Sequence, residues 1–236
     1  MDFIQAVKEV KGMIVQIVVP LPNGDSRTGS GFWVNQRGYI ATCWHVVRDN
    51  PKSTITVQSA IDPLFDLKTS DISVAKWETF QANVIAKDEN NDLALLKVDR
   101  NPFAPRRSAA VKIHDKILVA HYKEATLNTD LPEAGQKIFL AGYPLGQPYP
   151  FIQEGSIASV AHSLPEFGKT LKIVISAVAN PGNSGAPVLD SSSRVIGVFE
   201  GGLPSRHGLD AARAPSGFAV VVPAHFLLAL MNTVRD

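Results

Sequence analysis

Short runs rich in β-branched and large apolar residues recur along the chain, at 13–19, 28–34, 39–43, 54–58, 82–86, 93–98, 137–141, 155–160, 171–178, 194–199 and 217–222. Turn chemistry separates them: Pro-Asn-Gly at 22–24, Asn-Gln-Arg-Gly at 35–38, Asn-Asn-Asp at 90–92, Pro-Gly-Asn at 181–183 and Pro-Ser-Arg-His-Gly at 204–208. Many short strands with such breaks, and without the helices that alternate with strands in parallel sheets, predict a sandwich or barrel. Only the ends read as helical. Phe3, Ala6, Val7 and Val10 fall at helical spacing over 3–10. Pro223, suited to a first helical turn, opens 223–234 with Phe226, Leu227, Leu230 and Met231 as its buried stripe. The strand pattern lapses in mid-chain at 99–109, where Asn-Pro-Phe-Ala-Pro-Arg-Arg-Ser divides the sequence into 1–105 and 106–236. Each half holds about half a dozen strand candidates. The expected fold is therefore all-β: two antiparallel six-stranded barrels with a cleft between them and short N- and C-terminal helices.

The 236 residues, 45% of them apolar, suffice for a large core, since a chain of this size buries roughly 70–75% of its unfolded surface. Lys and Arg number 23 against 22 Asp and Glu, for a net charge of +1. That balance argues against nucleic-acid binding and polybasic membrane binding, which need a basic excess or stripe. No run of ~18 apolar residues offers a membrane span. The first ten residues mix charge into their apolar positions, unlike a secretion signal. Cys43 is the sole cysteine, which excludes an intramolecular disulfide and a multi-cysteine zinc site. A reducing compartment, most simply the cytoplasm, is the expectation.

Three segments carry chemistry. Residues 40–47, Ile-Ala-Thr-Cys-Trp-His-Val-Val, end an apolar strand on His45. Residues 90–98, Asn-Asn-Asp-Leu-Ala-Leu-Leu-Lys-Val, start another strand at Asp92. Residues 180–187, Asn-Pro-Gly-Asn-Ser-Gly-Ala-Pro, set Ser184 in a Gly/Pro-rich turn. A serine hydroxyl becomes a useful nucleophile when an imidazole takes its proton, and a carboxylate then orients and stabilises that imidazole. Gly182 can adopt a positive φ, which lets the turn aim backbone N–H groups at a developing oxyanion. The oxyanion hole is expected in the N–H groups of Gly182, Asn183 and Ser184, with Gly182 and Ser184 as the donors. His114, His121, His162, His207 and His225 lack metal-ligand spacing, Cys43 reads as a small buried residue, and Trp33, Trp44 and Trp77 read as packing. Gly-Asn-Ser-Gly-Ala is not Gly-x-Ser-x-Gly, and no phosphate loop, dinucleotide fingerprint or His-Glu-x-x-His occurs.

The order His45, Asp92, Ser184, the Gly-Asn-Ser-Gly turn and the all-β pattern resemble the chymotrypsin-fold (trypsin-like) serine proteases, and within them the HtrA/Deg branch. Further matching stretches are Gly29-Ser30-Gly31-Phe32 with Gly38-Tyr39-Ile40, Asp92 to Val98, Ala141-Gly142-Tyr143-Pro144-Leu145-Gly146, and Gly217-Phe218-Ala219-Val220. The resemblance runs from about Val15 to Pro223. It implies a serine endopeptidase that works through an acyl-enzyme on Ser184 without metal or organic cofactor. It further implies a primary pocket lined by Val178, Glu200, Gly201, Gly202, Gly217, Phe218 and Ala219. Val178 supplies no carboxylate, so small or medium apolar residues are expected before the scissile bond. Glu200, turned inward, would instead admit a basic residue. The partner is an extended protein or peptide substrate pairing with 200–202 as an added strand, with a gating protein partner left open. The chain departs from the family at Ala186, where a second glycine is usual, and in the long segment 106–133. No PDZ domain is expected after Pro223, and Asn183 offers no charge for the N-terminal switch of digestive enzymes. The competing reading is a catalytically silent adaptor that binds peptides in the same cleft.

Overall fold

The computed structural model describes residues 10–49, 55–61, 76–104, 110–113, 116–119, 122–204 and 215–234. Strands β1 (Ile14–Pro20), β2 (Ser26–Asn35), β3 (Tyr39–Cys43), β4 (Ile55–Ile61), β5 (Lys76–Asp88) and β6 (Leu93–Val98) close into one barrel in the order β1-β2-β3-β6-β5-β4. Strands β9 (Lys137–Gly142), β10 (Phe151–Ala161), β11 (Lys172–Ser176), β12 (Pro187–Asp190), β13 (Val195–Pro204) and β14 (Pro215–Pro223) close a second, ordered β10-β11-β14-β13-β12-β9. Neighbouring strands run antiparallel, and closure removes the unpaired edges that would invite aggregation. In the chain, between the strands of the two barrels, comes the separate hairpin β7 (Ala110–Ile113) and β8 (Lys116–Val119). A single helical turn, α1 (Trp44–Val47), follows β3, and α2 (Ala224–Met231) follows β14.

The expected all-β, two-barrel architecture is present, with differences in its parts. Strand β12 was not foreseen, because its four residues begin on a proline directly after the serine turn. β5 extends well beyond 82–86 on both sides. The hairpin β7–β8 occupies part of the segment that the sequence left without an assignment. The N-terminal helix expected over 3–10 lies outside the described residues except for Val10, as do His114, His121 and His207.

The barrels share one core. A single apolar cluster takes in Ile14, Ile17, Phe32, Trp33 and Leu95 from the first barrel, Phe139, Leu189 and Val198 from the second, and Leu227 and Leu230 from α2. A smaller cluster, with Ile138, Ile173, Ile175 and Val221, fills the second barrel alone. Helix α2 thus leaves the second barrel and packs back on β5 and β6 of the first. Residues 122–128 strap the two together. Tyr122 joins Trp33, Phe80 and Phe103 in an aromatic cluster with centroids 5.6–6.1 Å apart. Ala125 N–H then donates to Trp33 C=O at 2.8 Å, and Val195 N–H to Thr126 C=O at 2.8 Å. Of the tryptophans read as packing, Trp33 is fully buried and Trp44 and Trp77 flank the core.

Candidate active site

β3 pairs with β6 so that Cys43 lies opposite Leu93, which brings the end of one strand beside the start of the other. Cys43 is extended, and the chain then enters the α1 turn that carries His45. Asp92 closes the β5–β6 turn, where the Asp88 carboxylate accepts the N–H groups of Asn90 and Asn91 at 3.1 and 3.2 Å. Its φ of 53° is left-handed, a conformation Asp tolerates better than most residues. The contacts it makes there offset that strain. Its carbonyl accepts Trp44 N–H at 2.9 Å, Oδ1 accepts His45 N–H at 2.8 Å, and Oδ2 meets His45 Nδ1 at 2.5 Å. With Nδ1 donating to the carboxylate, Nε2 of the neutral ring is left as a proton acceptor. The histidine side chain is 34% exposed and the aspartate 18%, so the ring reaches the cleft while the carboxylate stays behind it. Arg27 braces the turn, donating to His45 C=O at 2.7 Å and pairing with Asp49 at 2.6 Å.

Cys43, His45 and Asp92 present ligand atoms within 4.8 Å of one another, the one such cluster among the described residues. Its chemistry does not suit a metal. His45 Nδ1 and Asp92 are taken up by each other, and the thiol donates to Phe199 C=O at 3.2 Å. Burial first, and then the charges of Asp92 and Glu200, push the Cys43 thiol well above its ordinary value. It stays protonated.

Ser184 sits in two consecutive tight turns. Asn183 N–H donates to Asn180 C=O at 3.1 Å, with Pro181 second and Gly182 third at φ 94°. Ala186 N–H donates to Asn183 C=O at 2.9 Å, with Ser184 second and Gly185 third at φ 87°. Both have the form of a type II turn, which needs a positive φ at its third position. Space demands glycine as well. A Cβ on Gly182 would lie 2.4 Å from Tyr143 C=O, and one on Gly185 would lie 2.2 Å from Ser30 C=O and 3.1 Å from Cys43 N. The serine turn is thus seated on β2 and β3 of the other barrel, two residues from His45. Ser30 fastens it: its N–H donates to Ser184 C=O at 2.8 Å and its hydroxyl to Gly182 C=O at 2.7 Å, while accepting Tyr143 N–H at 2.8 Å.

The expected oxyanion donors divide. Among the described residues, Gly182 N–H and Ser184 N–H make no hydrogen bond within the protein. Asn183 N–H, placed in the expected oxyanion hole though not named as a donor, is taken by the Asn180 carbonyl, which corrects its inclusion there. The serine hydroxyl is not bonded to His45. It donates to Glu200 C=O at 3.3 Å.

Around the expected pocket, β11, β14 and β13 adjoin in register, with Ser176 opposite Phe218 and Gly202 opposite Ala219. Val178 is 52% exposed at the rim. Gln153 clamps its backbone, accepting Val178 N–H at 3.3 Å and donating to its carbonyl at 2.9 Å. A Cβ on Gly202 would lie 2.9 Å from Ala179 Cβ, whereas one on Gly217 would meet nothing within 4 Å among the described residues. Gly201 faces the Phe167 ring. The option of a free Glu200 carboxylate for a basic substrate residue is corrected too: it pairs with the buried Lys172 at 2.7 Å. Ser30 and Lys172 escaped the sequence reading. The signal for Ser30 was a serine between two glycines inside a strand, and for Lys172 a lysine in an apolar run.

The family profile described as a trypsin-like peptidase domain matches residues 29–198. Protease Do-like 1 of the Arabidopsis thaliana chloroplast is 30% identical over 185 residues, covering 77% of this chain and 34% of that protein. A probable periplasmic serine endoprotease, DegP-like, of Hahella chejuensis is 26% identical over 215 residues, covering 91% of this chain and 37% of its own. The chain therefore spans about a third of the length of these relatives. In fold it is similar to the HtrA-type protease AlgW with tripeptide, at TM-score 0.70 and 19% identity over 99% of this chain and 63% of that one. It is also similar to the Rv3671c protease from M. tuberculosis in its active form, at TM-score 0.68 and 20% identity over 96% and 82%.

Proposed function

The chain belongs to the trypsin-like peptidase family, and from that premise we propose that it is a serine endopeptidase acting through Ser184, His45 and Asp92. The observation that carries this reading is the Asp92 clamp, which holds His45 by its Nδ1 at 2.5 Å beside the strand end on which the Ser184 turn is seated. In the proposed cycle the Ser184 hydroxyl leaves the Glu200 carbonyl, turns to His45 Nε2 and gives up its proton as Oγ attacks the substrate carbonyl. Asp92 stabilises the imidazolium that forms, and Gly182 and Ser184 N–H hold the oxyanion. The imidazolium then protonates the leaving amine, and water hydrolyses the acyl-enzyme by the same route in reverse.

The substrate chain lies extended along 200–202 as an added antiparallel strand. The AlgW structure, solved with a tripeptide, is in keeping with such a ligand. A small or medium apolar side chain fits the primary pocket, because Ala179 narrows it beside Gly202 and the Glu200 carboxylate is bound to Lys172. These steps call on no metal and no organic cofactor.

One observation favours the adaptor reading: the hydroxyl bonds to Glu200 C=O and not to the base. Cleavage profiling on a denatured proteome separates the two. The endopeptidase yields new N-termini after small apolar residues, and Ser184→Ala yields none. Saturable binding of peptides by the folded protein without any new N-termini establishes the adaptor instead.

A further inference from the structure

The second barrel buries a full charge that the proposed cycle leaves without a task. Lys172 opens β11 inside the run Leu171-Lys172-Ile173-Val174-Ile175, and its side chain is 0% exposed. Its ammonium meets Glu200 Oε2 at 2.7 Å, and the Glu200 side chain is itself only 10% exposed. Neither charge is stable alone in such a place, so the two act as a unit, yet an apolar pair of equal volume would stabilise the fold as well or better. Location supplies a reason for the pair. Glu200 stands at the bulge where β13 shifts register against β14, between the pairs Phe199–Val221 and Gly201–Val220. Its carbonyl accepts the Ser184 hydroxyl, and the carbonyl just before it, on Phe199, accepts both Gly185 N–H and the Cys43 thiol.

The carboxylate is also within electrostatic reach of the dyad. Burial raises the Glu200 pKa most and Lys172 draws it back, while Asp92 adds a smaller upward push and His45 a downward one. The titratable groups that act on Glu200 are therefore Lys172 from β11, in contact with it, and, at longer range, Asp92 from the β5–β6 turn, His45 from α1 and the protonated Cys43 from β3. Without Lys172, the buried Glu200 carboxyl would lose the charge that draws its pKa back down and would hold a proton more readily. With it, Asp92, Glu200 and Lys172 together leave a single negative charge to face the base.

We infer that Lys172 and Glu200 are a positioning pair: Lys172 pins the Glu200 carboxylate beside the His45–Asp92 dyad and so sets the bulge whose carbonyl holds Ser184 Oγ. The inference rests on the endopeptidase reading above. The two side chains, bound to each other, act through the serine and the histidine, while the Glu200 backbone belongs to the strand proposed to receive substrate. The bulge presents the carbonyl on which the Ser184 hydroxyl rests, at 3.3 Å.

The test compares peptide cleavage by the wild type with that by Lys172→Met/Glu200→Gln and by Glu200→Asp, each checked for folding by circular dichroism. The double variant removes both charges at similar volume. Its kcat is expected to fall by roughly 10- to 100-fold, the scale of a small misplacement at an active site, with KM unchanged. Glu200→Asp keeps the charge and withdraws it, so kcat falls less, again with KM unchanged. A folded double variant with wild-type kcat overturns the inference and leaves the endopeptidase reading standing, as does a loss that falls wholly on KM. If the double variant does not fold, Glu200→Asp decides: a kcat loss with KM unchanged supports the pair, and wild-type kcat overturns it. A wild type that cleaves nothing removes the endopeptidase reading and this inference with it.

Discussion

The two barrels have the same number of strands and the same closure, but they hold their shares of the site in different ways. In the first, the proposed base and its carboxylate are already engaged, because the pairing of β3 with β6 puts Asp92 next to the α1 turn and Asp92 binds that turn at Trp44 N–H, His45 N–H and His45 Nδ1. In the second, the serine hydroxyl rests on a carbonyl of its own barrel, and the turn that carries it is shaped by contacts across the seam with Ser30 and Cys43. The His45–Asp92 pair belongs to one barrel, whereas the setting of Ser184, the proposed nucleophile, belongs to the junction. Damage to the first should leave a folded protein with a misdirected base. Damage to the seam should cost both rate and stability.

The largest expected effect breaks the second barrel's share outright. Ser184→Ala lowers kcat by about 10⁶-fold, with about 10³–10⁴ over water remaining from the oxyanion donors and binding. Turnover near that of the wild type, measured on a peptide substrate, would remove Ser184 from the chemistry. Asp92→Asn attacks the first barrel and costs roughly 10⁴-fold, since an amide can hold the imidazole in the wrong tautomer. Unchanged kcat in that variant would mean that the 2.5 Å contact only supports the fold.

Gly182→Ala sharpens the comparison at the seam. Its Cβ would stand 2.4 Å from Tyr143 C=O on a backbone of φ 94°, so the turn must move and an oxyanion donor with it. The expected loss is about 10²–10³-fold in kcat, the scale for one such donor. A variant with wild-type kcat would show that Gly182 N–H is not a donor. Ser30→Ala is milder for rate and plainer for stability. It leaves Gly182 C=O without that donor and Tyr143 N–H without that acceptor, a cost of about 1–3 kcal/mol for buried groups, read by denaturant unfolding. A variant as stable as the wild type would show that the two halves hold the turn without it.

The smallest effect concerns α2, which ties the chain's end to the first barrel. Burial lowers the His225 pKa below its usual 6.5, so the folded state takes up a proton less readily than the unfolded one. Stability from this source is complete above about 6.5, and it is lost as pH falls from there through the folded value. The melting temperature of the wild type should therefore drop more between neutral and mildly acid pH than that of His225→Asn. Equal drops would contradict the assignment.

Local pattern made much of this legible in the sequence. His45 ends an apolar run, Asp92 opens one, and Ser184 lies in a glycine-rich turn, so each betrays its setting within a few residues. The closed barrels follow from strand count and turn chemistry in the same way. Features that depend on distant pairing stayed hidden. Lys172 could be seen as a charge in an apolar strand, but its partner lies 28 residues away and is chosen by the meeting of β11 with the β13 bulge. Asn183 was grouped with the oxyanion hole because the sequence shows a turn without its phase, and the phase decides which N–H the turn itself consumes. Strand β12 and the hairpin β7–β8 are only four residues per strand, too short for alternation to register.

The central claim is that the hydroxyl held by the second barrel is activated by the base held by the first. Reaction of the folded protein with a fluorophosphonate, followed by peptide mapping, tests it directly, because the probe captures a serine only where a base takes its proton and N–H donors receive the oxyanion. A single adduct on Ser184, formed far more slowly in Asp92→Asn, is the predicted result. A folded wild-type protein that gains no adduct at Ser184 would contradict the claim.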